Sequence, residues 1–451
     1  MADQPVFAFL AFTSGSYEGA ILRDMRLANA LHRRGFRVVV YWMMERNAEL
    51  PDEGIAQRTL SCGMRFQFRR PSELCDRIGR LLRLLWPAWR RRRFMQQHPD
   101  WVQRLAHNFV GAICCEAGTA DPRLAARLAR FIQRDGVTHL MPTFAMLCPL
   151  AQAARRLSRR PFDYVATFQG EEIFANYAAG IGRLEDYHQR LREVVAQSPW
   201  PAIAVSRDYI GRLRDEMGID ERRLVAIYPG IELPPPGPRP AFEIAWKKLP
   251  GLRPDVPIVL YFGRQDAEKG IDLLLYAARM LQDRGVRMQL VACGGSSFGQ
   301  VYRLACEQIA AHLRVHVYWK RRIPDDVRDA LYAHARCVVY PSIHREPFGL
   351  VAAEAMSHGT PVLVPDYGGI TEAIQWDGRA GGLTFRAWDT ADLARQLERL
   401  LTDEALHARL SANARPIAEK FSVDAMTDRV LAHIGLQPYP SSFRSSSSMP
   451  K

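Results

Sequence analysis

Short apolar runs alternate with helix-like stretches along most of this 451-residue chain. The runs are rich in β-branched and aromatic residues, as in VFAFLAF near the N-terminus and FRVVVYW after the helical stretch at 20–34. Strand patterns that alternate with helical patterns are typical of βαβ units, because two parallel strands need a long crossover between them. The chain is therefore predicted to be an α/β protein built on parallel sheets.

The alternation occurs twice, on either side of a proline-rich segment. Eight prolines fall within residues 233–257, and proline can continue neither a helix nor a central strand. Because a single hydrophobic core stops growing at roughly 250–300 residues, we expect two Rossmann-like domains with a ligand-binding cleft between them. The predicted parts are a first domain at 1–233, a linker at 234–255, a second domain at 256–419, a helix at about 420–438 that could pack back on the first domain, and a disordered tail at 439–451.

The net positive charge of the chain favours an anionic binding partner. The formal net charge is +13, and ten arginines against two acidic residues lie between Arg65 and Arg93. Such a stretch is typical of proteins that bind nucleic acid, an anionic membrane or an anionic substrate. Apolar residues from Leu74 to Trp89 recur at helical spacing, which leaves two interpretations. The helix either packs on the first domain or lies on an anionic bilayer.

Composition also bears on location. The eight cysteines include no Cys-x-x-Cys pair and no zinc-ligand spacing, so we expect buried thiols in a reducing compartment. The N-terminal apolar stretch lacks the preceding basic residues of a secretion signal, and no apolar run reaches 18 residues. These features predict a cytoplasmic protein, with peripheral attachment to the inner face of the cell membrane left open.

A basic loop follows the first strand of the second domain. Arg264 and Lys269 lie five residues apart between Gly263 and Gly270, directly after an apolar run and directly before a helical pattern. An arginine and a lysine so placed can converge on one diphosphate, the first as a fork and the second as a point charge. The alternative is an ordinary solvated loop. On either interpretation both side chains are expected to be exposed, so that their replacement by alanine leaves the fold intact.

Two glutamates flank a Pro-Phe-Gly turn further along the second domain. Glu346 lies in a loop after a strand pattern, Gly349 lets backbone amides approach a ligand, and Glu354 lies early in the helix that follows. The positive end of that helix favours an anion, and carboxylates accept hydrogen bonds from paired hydroxyls. The pattern indicates a site for a phosphorylated sugar, and the alternative is two unrelated surface glutamates.

These residues resemble the retaining glycosyltransferases of family 4, which have the GT-B fold of two facing Rossmann-like domains with an interdomain cleft. The resemblance is specific over about residues 261–372 and weaker over the first half. It implies catalytic roles for Glu346, Arg264 and Lys269, with the basic pair on the donor diphosphate and the two glutamates on the donor sugar and ribose. The donor-binding residues that it implies are Gly15, Gly19, Arg264, Lys269, Gly294, Glu346, Phe348, Gly349, Leu350 and Glu354.

The first half carries a fainter version of the same resemblance. The turn from Gly15 to Gly19 looks like the glycine-rich turn of the family, although a turn of this kind is common in Rossmann domains. Glu18, Gln169 and Glu172 are the residues implied on the acceptor side. Many family members have a histidine where Gln169 stands, and glutamine cannot act as an acid or base near neutral pH.

The resemblance implies transfer of a sugar from a nucleotide-sugar to a glycan or lipid-linked acceptor, with retention of anomeric configuration. It implies no cofactor and no metal, in keeping with a sequence that contains no Asp-x-Asp and no His or Cys cluster. No nucleic acid is expected as a partner. The alternatives are a non-enzymatic basic protein that binds nucleic acid or an anionic membrane, and another GT-B enzyme such as a phosphorylase or a nucleotide-sugar epimerase.

Overall fold

The protein is described from a computed structural model, and the residues described are 4–11, 19–43, 51–60, 86–87, 90, 122–296 and 300–437. They divide into two compact units. The first takes the described residues of 1–204, 210–227 and 427–451, and the second takes 205–209 and 228–426. The chain passes between the units near residues 205–209, near 228 and inside the last helix.

A five-stranded parallel sheet forms the core of the first unit, in the order β3-β2-β1-β4-β5. Its two longest strands are nearly continuous apolar runs, as expected where helices cover both faces of a parallel sheet, whereas the edge strand AQRT is polar. The strands are β1 Val6–Ala11, β2 Arg37–Trp42, β3 Ala56–Thr59, β4 His139–Pro142 and β5 Asp163–Tyr164. The accompanying helices are α1 Gly19–Arg33, α2 Pro122–Asp135 and α3 Cys148–Leu157, the last preceded by a 3₁₀ turn at Ala145–Leu147.

A small parallel sheet in the order β6-β7-β8 continues the first unit. Its strands are β6 Thr167–Phe168, β7 Ala202–Ala204 and β8 Leu224–Ala226. The helices between them are α4 Glu172–Gly180, α5 Leu184–Gln197 and α6 Arg207–Met217, of which the first three residues belong to the second unit. The strand-helix alternation read from the sequence is therefore present throughout the described part of the first half.

A six-stranded parallel sheet in the order β11-β10-β9-β12-β13-β16 forms the core of the second unit. The strands are β9 Ile258–Phe262, β10 Gln289–Cys293, β11 Val317–Lys320, β12 Ala335–Val339, β13 Val362–Pro365 and β16 Gly382–Phe385, with a short antiparallel pair β14 Gln375–Trp376 and β15 Arg379–Ala380. The helices are α7 Phe242–Lys248, α8 Ile271–Asp283, α9 Val301–His312, α10 Asp325–His334, α11 Leu350–Ser357, α12 Ile370–Ala373, α13 Thr390–Thr402, α14 Glu404–Ala418 and α15 Val423–His433.

The proline-rich segment is more ordered than a linker. Residues 234–255 fall within the second unit and include α7, which lies between Pro240 and Pro250. The Phe242 ring lies 5.5 Å from that of His334 at the end of α10, and the His334 Nε2 atom lies 2.6 Å from the Pro240 carbonyl. The prolines bound this helix rather than interrupt it, so a high proline count is compatible with a packed segment here.

The end of the chain returns to the first unit. The boundary between the units falls inside α15, after Met426. Asp428 pairs with Arg34 of α1 at 2.5 Å, and His433 Nε2 lies 2.8 Å from the carbonyl oxygen of Pro201. The predicted tail at 439–451 lies outside the described residues. Within the described ranges, no helix is both long enough and apolar enough to cross a bilayer.

One crossing of loops in the second unit leaves room for glycine alone. Gly294 follows β10 with a φ of 139°, and a Cβ atom there would lie 1.8 Å from the carbonyl oxygen of Gly263, which follows β9. The amide of Gly294 also donates to the Lys320 carbonyl at 3.0 Å. The backbone of Gly294 therefore lies where the carboxyl ends of β9, β10 and β11 meet.

We expect Gly294→Ala to destabilise the protein by at least about 1–3 kcal/mol, since the variant must relieve both the backbone strain and the contact with Gly263. Gly295→Ala is the matched control, because a Cβ atom at Gly295 meets nothing within 4 Å. Urea unfolding midpoints of both variants measure the difference. Equal midpoints would contradict this account of the crossing.

Candidate functional site

The predicted donor residues of the second domain lie at or near the carboxyl edge of the six-stranded sheet. Strands β9 and β12 are neighbours there, and their connections lead in opposite directions, β9 to β10 and β12 to β13. Loops that diverge from adjacent parallel strands leave a crevice between them, which is where ligands bind in open α/β sheets. The loop after β9 carries Arg264 and Lys269, and the loop after β12 carries Glu346.

Lys269 and Glu346 form a buried ion pair at this point. Lys269 ends the 3₁₀ turn at Ala267–Lys269, and its Nζ atom donates to the Glu346 carboxylate. The two residues are only 5% and 8% exposed. The Ser342 hydroxyl also lies 2.7 Å from the same carboxylate oxygen. Burial acts to raise the pKa of Glu346, but the adjacent Lys269 ammonium outweighs it and holds that pKa below its ordinary value.

The burial of Lys269 corrects one expectation. The sequence predicted an exposed side chain that could be removed without cost, whereas its ammonium neutralises a buried carboxylate. Spacing along the chain places Lys269 in the loop but carries no sign of a partner 77 residues away. Replacement of Lys269 is therefore expected to lower the stability of the fold as well as to weaken ligand binding.

Arg264 is the more accessible basic residue, with 34% of its side chain exposed. Its guanidinium donates to the Asp266 carboxylate at 2.6 Å and to the Glu268 carboxylate. Partial burial acts to lower the pKa of Arg264, but Glu268 and Asp266 raise it above its ordinary value. The guanidinium is held in a fixed direction at the rim of the crevice, and a planar fork suits two oxygens of a phosphate.

The Pro-Phe-Gly turn leads directly into a helix, as predicted. Gly349 has a φ of 94°, and α11 begins at Leu350. Phe348 is 3% exposed, and its ring contacts those of Tyr228 and Phe421 at centroid distances of 5.7 Å and 5.2 Å. The amides of Leu350 and Val351 begin α11 at the positive end of its dipole, while the Ala352 amide donates to the Gly349 carbonyl at 3.1 Å. The helix start thus lies next in the chain to the buried pair.

Glu354 lies on the fifth residue of α11, about 6 Å along the axis from Leu350. It is half-buried, and its charge acts on residues of α10. Burial first and then the charge of Glu354 raise the pKa of Tyr332. Burial acts to lower the pKa of Arg328, but Asp329 and Glu354 raise it overall. Glu354 therefore faces the α10 side of the crevice, whereas Glu346 faces Lys269.

The remaining predicted residues come from the first half of the chain, namely Gly15 and Gly19 on the donor side and Glu18, Gln169 and Glu172 on the acceptor side. Gly19 is the first residue of α1, while Gly15 and Glu18 lie outside the described residues. Gln169 follows β6, and its Nε2 atom donates to the Thr143 carbonyl and lies 3.4 Å from an Asp24 oxygen. The Gln169 Oε1 atom has no hydrogen-bond partner in the described part of the chain. The carboxamide is thus oriented with its acceptor end unused.

Glu172 is paired rather than open. It begins α4, and the Arg212 guanidinium donates to its carboxylate at 2.6 Å. Its neighbour Glu171, which the sequence does not single out, is completely buried and accepts from the Tyr187 hydroxyl at 2.9 Å and the Ala145 amide at 2.8 Å. Burial raises the pKa of Glu171 to about 8. Two adjacent glutamates give no sequence signal for which one turns inward.

Among the residues that the structure describes, there is no group of three His, Cys, Asp or Glu side chains that could hold a metal ion.

Comparisons with known proteins identify the family of the chain. Residues 243–416 match the family model described as Glycosyl transferases group 1, a range that contains every element of the candidate donor site. A D-inositol 3-phosphate glycosyltransferase from Frankia alni is 34% identical over 291 residues, which are 62% of this chain and 70% of that protein. The chain belongs to the group 1 glycosyl transferases. Membership confirms the family resemblance found in the sequence.

Other members of the family match over shorter stretches. A D-inositol 3-phosphate glycosyltransferase from Streptomyces bingchenggensis is 34% identical over 230 residues, which are 49% of this chain and 50% of that protein. The chain spans about half the length of the first curated relatives that it matches.

Solved structures share the fold at lower identity. A sucrose-phosphate synthase from Thermosynechococcus elongatus aligns with a TM-score of 0.69 at 19% identity, over 96% of this chain and 98% of that one. Anabaena HepE, solved in complex with UDP and glucose, aligns with a TM-score of 0.67 at 18% identity, over 95% of this chain and 99% of that one. These likenesses confirm the GT-B fold predicted from the sequence.

The Lys269–Glu346 pair generates a prediction about pH. With Lys269 present the pKa of Glu346 is low, so the pair stabilises the fold above the ordinary carboxyl pKa, and that contribution is lost as pH falls through the lowered value. In Lys269→Met, the largest effect that opposes burial is lost and only the weaker effects of His344 and Ser342 remain, so the pKa of Glu346 should rise and stability should fall as pH rises. We expect a loss of about 3–5 kcal/mol at pH about 7 and a smaller loss at pH about 4.5.

Urea unfolding of wild type and Lys269→Met at both pH values measures this difference. The double variant Lys269→Met/Glu346→Gln is the control, since it removes the unpaired carboxylate and should recover most of the loss at neutral pH. A loss that is the same at both pH values would show that Glu346 does not titrate against Lys269.

Proposed function

We propose that this protein transfers a sugar from a nucleoside diphosphate sugar to an acceptor hydroxyl. The observation that carries the proposal is the buried Lys269–Glu346 pair between the diverging loops of β9 and β12, with Arg264 at its rim and the start of α11 beside it. Cations and helix amides suit a diphosphate, and an ionised carboxylate suits sugar hydroxyls. Family membership supports the same assignment.

The chemistry follows from the charges that the reaction develops. As the bond from the sugar C1 atom to the diphosphate oxygen breaks, negative charge grows on the departing nucleoside diphosphate and positive character on the sugar ring. Arg264 and Lys269 stabilise the former, and they are fixed in place before the reaction begins. Glu346 remains ionised because its pKa is lowered, so it serves as a hydrogen-bond acceptor rather than as an acid.

The stereochemical part of the proposal is retention of configuration. The acceptor oxygen bonds to C1 on the face that the diphosphate leaves, and its proton passes to an oxygen of the departing phosphate. Gln169 cannot take that proton, and its buried carboxamide is held by the Thr143 carbonyl. No metal enters this scheme, so transfer should persist in excess EDTA. Loss of transfer in EDTA that added Mg²⁺ or Mn²⁺ restores would overturn it.

The acceptor is proposed to be a glycan or a lipid-linked glycan. Several curated relatives are named as D-inositol 3-phosphate glycosyltransferases, so a phosphorylated polyol is a further acceptor class to assay. The rival class is a basic binding protein without activity, for which purified protein would bind anionic polymers yet leave every nucleotide-sugar intact.

A membrane location is a separate part of the proposal. The arginine-rich stretch from Arg65 to Arg93 lies outside the described residues except at positions 86–87 and 90. In α2, three arginines lie on one helix face and line a surface cavity of about 540 Å³ with Phe131, namely Arg127, Arg130 and Arg134. Four described cysteines, Cys148, Cys293, Cys306 and Cys337, are buried and unpaired, which suits a reducing compartment. We propose a cytoplasmic enzyme held peripherally at the inner face of the cell membrane.

Vesicle co-sedimentation should show binding that rises with anionic lipid and falls with salt, because each basic residue at the surface contributes about 1 kcal/mol. Changing residues 90–93 to Gln should weaken it. The control replaces four exposed arginines of the second unit, Arg253, Arg284, Arg287 and Arg386, and should leave binding unchanged. Equal recovery in the supernatant with neutral and anionic vesicles would remove the membrane proposal while leaving the transferase proposal intact.

The donor assignment predicts that Arg264→Ala weakens binding of the nucleoside diphosphate by about 1.5–3 kcal/mol, the worth of a charge-assisted contact. Arg284→Ala is the control, since Arg284 pairs with Glu398 on the surface at 2.7 Å. UDP-, GDP- and ADP-sugars should first be screened for thermal stabilisation, which amounts to about 2.7 kcal/mol at 100 times Kd. Titration calorimetry with the selected diphosphate then compares the variants. Wild-type affinity in Arg264→Ala would remove Arg264 from the site.

A further inference from the structure

The loop that carries Glu346 is held from outside by a segment more than 130 residues earlier in the chain. The Ser206 hydroxyl donates to the Pro347 carbonyl oxygen at 2.6 Å. The Arg345 guanidinium forms a two-point contact with the Asp208 carboxylate, with Nε 3.1 Å from Oδ2. Both earlier residues belong to the same unit as the loop. The residues on each side of Glu346 are therefore fixed by separate contacts.

Glu372 of α12 forms hydrogen bonds with the same segment, residues 205–209 of the second unit. One carboxylate oxygen accepts from the Asp208 amide at 2.6 Å, and the other accepts from the Arg207 amide at 3.1 Å and from the Tyr228 hydroxyl at 2.8 Å. These amides begin α6 and have no partner inside their own helix. A carboxylate at the positive end of a helix forms charge-assisted hydrogen bonds. Glu372 thus caps a helix that starts far away in sequence.

The junction between these segments contains no spare volume. The Gly369 amide donates to the Glu346 carbonyl oxygen at 2.8 Å. A Cβ atom on Gly369 would lie 1.9 Å from the Pro347 carbonyl oxygen and 2.4 Å from the Ser206 Oγ atom. A shift of any one segment must therefore move the others. Tyr228, which donates to Glu372, also touches the Phe348 ring, so the contacts reach the residue before Gly349.

We propose that Glu372, acting through Ser206 and Asp208, is a positioning residue for Glu346 and for the start of α11. Glu372 holds the first turn of α6, and that turn in turn fixes Arg345 and Pro347 on either side of Glu346. The inference rests on the proposed function, because Glu346 is there the group that contacts the donor sugar. Glu372 itself touches neither the sugar nor the diphosphate.

The test compares Glu372→Gln with the control Glu398→Gln, which removes a surface carboxylate that pairs with Arg284 at 2.7 Å. Hydrogen exchange gives a readout that needs no activity. In Glu372→Gln, amides at 207–209 and 346–351 should exchange about ten- to a hundredfold faster, while those of β9 and β10 keep their protection. Unchanged exchange at 346–351 would overturn the proposal, whether or not the protein proves to be a transferase.

Kinetics with the donor found by screening give the second readout. Misplacement of a reacting group by about 1 Å can cost about 100-fold in rate, so kcat should fall strongly in Glu372→Gln. The KM for the donor should change much less, because Arg264 and Lys269 still hold the diphosphate. A purely structural role would lower the amount of folded protein without this split between kcat and KM. Wild-type kcat in a variant with accelerated exchange would show that the contacts do not position Glu346.

Asp208→Asn is the second variant, in case Glu372→Gln folds poorly. It keeps the amide that Glu372 accepts from and removes only the charge that Arg345 contacts. A smaller effect in the same direction on exchange and on kcat is expected. If wild-type protein transfers no sugar from any donor, the proposed function fails, and the exchange data alone then decide whether Glu372 holds the loop that carries Glu346.

Discussion

The buried ion pair between Lys269 and Glu346 is the interaction on which the candidate site depends. Removing two charges from water costs several kcal/mol for each ion, and their attraction offsets this only when further hydrogen bonds complete the shell. Ser342 supplies such a bond to Glu346. The pair joins the loops after β9 and β12, so it fixes the crevice between them. An ammonium has three donors, which leaves Lys269 able to contact a phosphate while it holds Glu346.

Contacts on both sides of Glu346 hold the loop after β12 in place. Arg345, Pro347 and Phe348 each contact a different partner, respectively a carboxylate, a hydroxyl and an aromatic cluster. Preorganised groups stabilise developing charge without moving during the reaction, and such preorganisation is a large part of enzymatic rate enhancement. A binding protein would gain affinity from the same cations, but it has no need of a buried carboxylate between them.

The sequence was informative where chemistry depends on spacing along the chain. The position of Arg264 and Lys269 between a strand and a helix, and the Pro-Phe-Gly turn before α11, follow from local pattern and were predicted correctly in kind. The burial of the Lys269 side chain was not predicted, because its partner Glu346 is distant in sequence. The roles of Ser206 and Glu372 left no pattern either, since a helix capped by a remote carboxylate looks like an ordinary helix start. The number of prolines in residues 234–255 suggested a linker and gave no sign of α7, which the prolines flank.

The most direct test of the central claim is a crystal structure with a nucleoside diphosphate bound, the base being chosen by thermal screening. We expect diphosphate oxygens within hydrogen-bonding distance of the Arg264 guanidinium and the Lys269 ammonium, at the carboxyl edge of β9 and β12. A diphosphate seated instead in the arginine-lined cavity of α2, at Arg127, Arg130 and Arg134, with the crevice empty, would contradict it.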